Sequence, residues 1–368
     1  MSRTDVLIIG GGPAGLATAI ELRRKGLEVV VVDRAEPEID KPCGEGLMPD
    51  GVVRLGQMGI EVAPDQRAPI HGIRYVDGER SAEARFQQGC GLGIRRPVLH
   101  RAMVQRAAET GVVMKWKTGV EGLSEAGART SRGNLEAEWT IGADGLRSRV
   151  RAWAGLEAPS RATRRFGVRR HYARAPWSDL VEVHWAEGCE AYVTPVSSDR
   201  VGVAVLWSGL KAGFDDLLPR FPELVDRLDG SRVVSRDRGT GPLDQRVRGV
   251  YRDRVALVGD AAGYRDAITG EGISLAFHQA AALAEAIAAG DLASYQATVR
   301  RLTRLPFALI RLLLIAERRP WLRRRLIETL AREPALFARL LAVHARQRSP
   351  REIGPGLWMR LARGLLTG

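Results

Sequence analysis

Apolar positions near the start of the chain fall in short runs punctuated by glycine, whereas the last third alternates leucine clusters with arginines. Val6 to Gly10 is an apolar run ending in glycines, Leu16 to Lys25 has helical composition, and Glu28 to Val32 is a second apolar run, so a strand, a helix and a strand are predicted. Arg34 to Asp50 contains Lys41-Pro42-Cys43-Gly44-Glu45-Gly46-Leu47-Met48-Pro49, too rich in turn formers to be an element. A helical stretch runs on to about Gly59, followed by strand-like runs around Ile73 to Val76 and Ala82 to Phe86. Arg96 to Thr110 reads as a second helix with Leu99, Met103, Val104 and Ala107 on one face.

A strand-turn series covers Val112 to Thr140 and ends in Gly142-Ala143-Asp144-Gly145-Leu146-Arg147-Ser148-Arg149. Short strand patterns then recur at Val181 to Trp185, Ala191 to Val196 and Arg200 to Trp207, which predicts a mixed or antiparallel sheet. Arg254 to Val258 is a buried-strand pattern running into Gly259-Asp260-Ala261-Ala262-Gly263, and Glu271 to Ala289 is a strong helix. Beyond residue 300, prolines 306, 320 and 334 are expected to divide the run into short helices.

At 368 residues the chain suggests about two domains. With 45% hydrophobic and 27% charged residues it is neither disordered nor collagen-like. Cys43, Cys90 and Cys189 show no CxxC spacing, so a disulfide scaffold, a zinc ribbon and an iron-sulfur cluster are disfavoured and a reducing cytoplasm is the default. The strand pattern begins by Val6, which leaves no room for a cleavable leader, and no apolar run approaches the ~20 residues of a membrane span. The six histidines are scattered without HxxxH or HExxH, so no metal or hydrolytic triad is proposed.

Charge is unevenly placed. From Arg300 to Gly368 there are 16 Arg and 4 Glu with no Lys or Asp, so this tail carries +12 of the net +13. Two readings follow: a monotopic face on anionic lipid, or a helical cap packed on the domain of the opening strand, helix and strand, with a solvated arginine face. Nucleic acid is a weaker third, because the tail lacks interleaved aromatics or a recognised binding module.

The strongest chemical signal is Gly10-Gly11-Gly12-Pro13-Ala14-Gly15, a GxGxxG where a strand feeds a helix, with Asp33 at the end of the second strand. The first glycine permits a tight turn, the second lets a pyrophosphate approach the backbone, and the third allows close helix packing. The helix N-terminus holds the phosphate charge. Asp33 is placed to accept hydrogen bonds from ribose hydroxyls, which argues against a 2′-phosphate.

Together, GGGPAG, GADGLRSRVR and RVALVGDAAGYRDAITGEGISLAF resemble the three fingerprints of flavoprotein hydroxylases of the p-hydroxybenzoate hydroxylase type and their relatives, the geranylgeranyl reductases and flavin-dependent halogenases. The resemblance covers roughly residues 1 to 290 and implies an α/β fold. Its parts are a Rossmann-like FAD-binding domain (1–65, 95–160 and 238–300), a mixed β-sheet substrate domain (66–94 and 161–237) and a basic helical C-terminal region (301–368). It implies a pyrophosphate site at Gly10, Gly12, Pro13, Ala14 and Gly15, with Asp33 and Arg34 beyond it. Lys41, Cys43, Gly44 and Arg96 are implied beside the flavin, with Asp144 near the cofactor, Arg147 alongside it and Arg149 a weaker assignment. Gly259 and Asp260 match the ribityl-binding turn, and Gly270, Gly272 and Ile273 match the loop and helix start at the isoalloxazine ring.

Two departures narrow the type. Gly263 and Ala267 stand where aromatic hydroxylases carry His and Pro, whereas Lys41-Pro42-Cys43-Gly44 and Thr269-Gly270-Glu271-Gly272-Ile273 are closer to geranylgeranyl reductases. The reductases' aromatic YxWxFP signature is replaced by Ala191-Tyr192-Val193-Thr194-Pro195-Val196. No second GxGxxG follows a strand, so NAD(P)H is expected as a transient reductant. Cys43 either lines the flavin cavity or is a buried apolar thiol. Tyr192, Trp185 and Trp207 either wall a pocket or pack the core.

The leading expectation is an FAD-dependent monooxygenase of secondary metabolism that hydroxylates a lipophilic phenolic or polyketide-type substrate with NAD(P)H and O2 via a C4a-hydroperoxyflavin. A geranylgeranyl reductase-like enzyme that reduces isoprenoid double bonds is the alternative, followed by a non-catalytic flavoprotein binding membrane or nucleic acid through its tail. The expected location is the cytoplasm, with peripheral membrane contact through residues 300–368 as an option. No motif fixes a catalytic base.

Overall fold

The computed structural model describes residues 3–159, 165–209 and 212–349, and isolated positions between 352 and 364. Its first sheet is built on Thr4–Ile9, which pairs in parallel with Val29–Val32 on one side and with Gly133–Gly142 on the other. Val113–Lys115 extends the parallel order beyond Val29–Val32, and Val255–Leu257 extends it beyond Gly133–Gly142. Val6, Leu7 and Ile8 are fully enclosed, as expected of a strand covered on both faces. Helices Pro13–Arg24, Arg96–Glu109 and Gly272–Ala288 pack together beside this sheet, burying Leu16, Ile20, Met103 and Leu283. The three glycine-rich fingerprints therefore leave the carboxyl ends of three adjacent parallel strands, where ligands bind in open α/β sheets.

The second sheet runs in the order Arg232–Val233, Arg165–Ala173, Arg200–Ser208, Cys189–Ser197, Val181–Ala186, Gly72–Asp77, Arg80–Arg85. Every neighbouring pair is antiparallel except Val181–Ala186 with Gly72–Asp77, so the sheet is mixed. Gly46–Leu47, Gly91–Ile94 and Arg67–Ile70 form a small three-stranded sheet that packs on strand Cys189–Ser197 of the second sheet.

The tail departs from expectation in two ways. Helix Leu292–Glu317 continues through Pro306, so only Pro320 and Pro334 act as breaks, each at the first turn of a new helix, Pro320–Arg332 and Pro334–His344. An interior proline forfeits a hydrogen bond and costs roughly 3 kcal/mol, but burial of Pro306 and Ile310, with Phe307, Leu313 and Leu314 half-buried on the same core, offsets that loss. The cap also covers a different surface. Its last two helices lie on strands Arg80–Arg85 and Gly72–Asp77 of the second sheet, with Phe337 stacked on Tyr75 at 5.3 Å. Among the described residues no helix is long and apolar enough to cross a membrane.

Candidate functional site

The turn after Thr4–Ile9 shows why each glycine is needed. Gly10 has φ +116, and a Cβ there would sit 2.3 Å from the Ala143 carbonyl oxygen. A Cβ on Gly15 would lie 1.9 Å from the Gly10 oxygen, so the helix reaches the strand only without one. At Gly12 a Cβ would meet nothing within 4 Å, because that residue faces open space at the start of helix Pro13–Arg24. His100 Nε2 bonds the Gly11 oxygen at 2.8 Å while its Nδ1 accepts from Ile39 N, which fixes a neutral tautomer whose Nε2–H clamps the turn. Burial holds this imidazole below its usual pKa. Asp33 accepts from Gly11 N and Ala35 N, both at 2.8 Å, one on each oxygen.

The glycine-rich loop after the second strand folds under the second sheet. Glu45, at φ +60, accepts from Arg96 N at 2.8 Å and so holds the N-terminus of helix Arg96–Glu109. Its other oxygen lies 2.5 Å from His171 Nε2, and both residues are buried. Arg169 Nη1 is 3.0 Å from His171 Nδ1. A guanidinium only donates, so Nδ1 carries the lone pair and Nε2 carries the hydrogen given to Glu45. Arg169 also pairs with Asp40 at 2.5 Å, and Ser235 Oγ lies 3.0 Å from His171 Nδ1 on the outer side. Glu45 N donates to Cys43 Sγ, whose thiol burial pushes above its ordinary pKa against the pull of Arg96.

The third fingerprint closes the opposite wall. Asp260 follows Gly259 (φ +64) in a single turn of 3-10 helix, and no donor among the described residues bonds its carboxylate. Burial raises its pKa, opposed by Arg96, Lys41 and Arg151. Gly270, at φ +68, turns the chain into helix Gly272–Ala288, whose uncapped N-terminus carries partial positive charge. Glu271 beside it is buried, 3.4 Å from Arg346 and 3.6 Å from His344 of the C-terminal segment.

These walls enclose one continuous cavity of about 440 Å³. Of the residues singled out from sequence, Gly12, Pro13, Ala14, Lys41, Cys43 and Gly44 line it on one side, and Arg96, Gly259, Asp260, Gly270, Gly272 and Ile273 on the other. Gly10 and Gly15 lie behind the turn as packing positions. Asp144 does not reach the cavity. Its carboxylate accepts from Ser148 Oγ, Arg149 N and Val150 N at 2.5 to 3.1 Å, so it secures the N-terminus of helix Arg149–Trp153 together with the N-cap Ser148. Asp33 and Arg34 also lie outside the lining, Arg34 exposed, and Arg147 is committed to the Gly241 carbonyl at 2.7 Å. Of the three aromatic candidates only Tyr192 lines the space, bonding Ile268 O at 3.0 Å, while Trp185 and Trp207 pack in cores.

Sequence reading missed Glu45, His171, Arg169 and Arg151. Arg151 is buried and joins Leu146 O, Ala261 O and Gln245 Oε1, so it bolts the middle fingerprint to the third. It also missed the far end of the cavity, where Leu309, Leu312 and Leu313 of one tail helix and Leu322, Leu326 and Leu330 of the next complete an apolar wall opposite Ile73, Tyr75, Val183 and Leu206.

Comparison with known proteins gives a consistent setting. A family described as "FAD binding domain" matches residues 3–208. A digeranylgeranylglycerophospholipid reductase of Methanothrix thermoacetophila is 30% identical over 324 residues, 78% of this chain and 80% of that one. A menaquinone reductase of Mycolicibacterium smegmatis is 28% identical over 322 residues, 80% and 78% of the two chains. Among solved structures, a flavoprotein/dehydrogenase from Cytophaga hutchinsonii superposes with a TM-score of 0.80 at 18% identity, covering 94% of this chain and 93% of that one, a likeness of fold.

Proposed function

This chain belongs to the FAD binding domain family and is an FAD-dependent oxidoreductase, and from that premise we propose that it saturates double bonds in the isoprenoid chain of a lipid. The residues in place suit FAD. Gly12 leaves backbone open at a helix N-terminus for the pyrophosphate, and among the described residues neither the Asp260 carboxylate in the cavity nor the buried Arg96 Nε has a hydrogen-bond partner.

One observation carries the choice of substrate: beyond the residues suited to the flavin, the cavity continues into a wall of leucines from the tail helices. Such a lining favours a long, flexible hydrocarbon over a compact phenol, whose hydroxyl needs a placed polar partner. The names of the relatives support the same substrate class. Hydroxylation, the leading expectation from sequence, becomes the second reading; Gly263 and Ala267, where hydroxylases carry His and Pro, weigh against it.

When bound and reduced by NAD(P)H, FAD supplies two electrons and one hydrogen to one carbon of the double bond. The second hydrogen arrives at the other carbon as a proton. Glu45 lines the cavity and is placed to relay a solvent-derived proton to that carbon, while His171, behind it and outside the lining, orients the carboxyl with its Nε2–H. The apolar walls exclude water and orient the chain along the cavity. Turnover under argon with NAD(P)H and a polyprenyl lipid, followed by mass spectrometry for a gain of two hydrogens per bond, tests the reading. Strict dependence on O2 with gain of one oxygen would replace it with hydroxylation.

A further inference from the structure

The leucine end of the cavity reaches the surface. Leu312 lines the cavity and is also 56% exposed, and Ile315 and Trp321 beside it in sequence are 45% and 53% exposed. These three large apolar side chains lie within ten residues, at the junction of helices Leu292–Glu317 and Pro320–Arg332.

The arginines around them differ from those facing the protein. Arg323 is buried and paired with Asp77 at 3.0 Å, and Arg346 is paired with Asp50 at 2.9 Å. Arg311, Arg318, Arg319 and Arg324 are exposed and make no ion pair with any described residue. Arg325 lies over the Trp321 ring at 5.8 Å. The one acid in this stretch, Glu317, is turned inward and buried near Arg165.

An apolar patch that continues into a cavity and is ringed by arginines matches an anionic bilayer, in which acyl chains meet the apolar centre and headgroup phosphates meet the rim. We propose that this helix junction docks on anionic lipid and that its substrate passes from the bilayer into the cavity past Leu312. This rests on the isoprenoid-lipid reading above. Water-filled ribonucleic grooves, the competing anionic partner, offer the arginines phosphates but leave Leu312 and Ile315 unmatched.

Sedimentation of the flavin-loaded full chain with vesicles of phosphatidylcholine alone, and of phosphatidylcholine with phosphatidylglycerol in equal parts, tests the proposal. Each arginine near an anionic surface strengthens partition by about fivefold at low salt. The Arg318→Glu/Arg319→Glu double variant is therefore expected to bind the mixed vesicles at least about 25-fold more weakly. Arg132→Glu/Arg236→Glu, with the same change in net charge elsewhere on the surface, is expected to keep most of the binding. Leu312→Ser/Trp321→Ser weakens binding to both kinds of vesicle. Equal loss in both charge variants, no preference for phosphatidylglycerol, or vesicle binding that single-stranded RNA abolishes while itself being bound more tightly, overturns it. Turnover of a short, water-soluble isoprenoid analogue separates the two ideas: the Arg318/Arg319 variant retains it, and absence of that turnover in the unaltered chain sinks the reductase reading while leaving the vesicle result standing.

Discussion

Glu45 and His171 are 126 residues apart in sequence, yet their side chains meet at 2.5 Å with neither exposed. On the proposed reduction, Glu45 at the cavity wall would relay the proton and His171 would hold its carboxyl in place. Glu45→Gln preserves shape and an acceptor for His171 but removes the charge. We expect reductive turnover to fall about a hundredfold, the usual scale for lost acid-base assistance, with FAD content unchanged and the pH profile of kcat altered. An unchanged pH profile at normal FAD content would assign the pair to structure alone.

Two glycines in the same turn are expected to fail differently. Gly15→Ala drives a methyl to 1.9 Å from the Gly10 oxygen, so the folded state itself is destabilised, by about 3 kcal/mol or more. Gly12→Ala meets no protein atom within 4 Å and should melt like the unaltered chain when both lack flavin, yet lose FAD affinity. Thermal melts of the two apoproteins, set beside flavin titrations, check the contrast.

Asp260 lines the cavity, and no donor among the described residues bonds its carboxylate. Replacing it with Asn removes a charged acceptor and should weaken FAD binding about tenfold or more, read as quenching of flavin fluorescence. Asp144→Asn, by contrast, weakens the hydrogen bonds that hold the N-terminus of Arg149–Trp153 and should lower the melting temperature more than the affinity.

A buried cluster of one arginine and three acids sets a pH dependence. Arg165 pairs with Glu190 and Asp266 and lies 3.9 Å from Glu317. Burial, only partly countered by Arg165, pushes the Glu190 carboxyl up to about 8 from an ordinary 4.5. The folded chain then keeps a proton that the unfolded chain releases above pH 4.5, so stability falls as pH rises from there to about 8 and levels beyond. The slope reaches at most about 1.4 kcal/mol per pH unit. Urea melts across this range should show the slope in the unaltered chain and a flatter curve in Glu190→Gln; parallel curves would contradict it.

The glycine turn of the nucleotide fold and several strands of the second sheet were legible because their signals are local. Gly10 to Gly15 read as a strand-to-helix turn from six consecutive residues, and the strand runs at Val181, Ala191 and Arg200 matched the observed Val181–Ala186, Cys189–Ser197 and Arg200–Ser208 closely. What stayed hidden depends on chain crossings. Nothing near Glu45 announces His171, Arg151 reads like any helix-start arginine until it meets Ala261 and Gln245, and Asp144 seemed free because its three donors lie within the next six residues of a turn. Pro306 misled because composition records a breaker and not the core that holds it in line.

Helix Leu292–Glu317 is moored at both ends, near its start by Tyr295 hydroxyl to Leu257 O at 2.7 Å and at its finish by Glu317 beside Arg165. From Tyr295 to Glu317 is about 33 Å at 1.5 Å per residue, fixed between the nucleotide sheet and the second sheet. On the isoprenoid-lipid reading proposed above, such a strut would act as a yardstick, setting how far along a threaded tail the first accessible olefin lies and leaving surplus carbons to trail outside past Leu312.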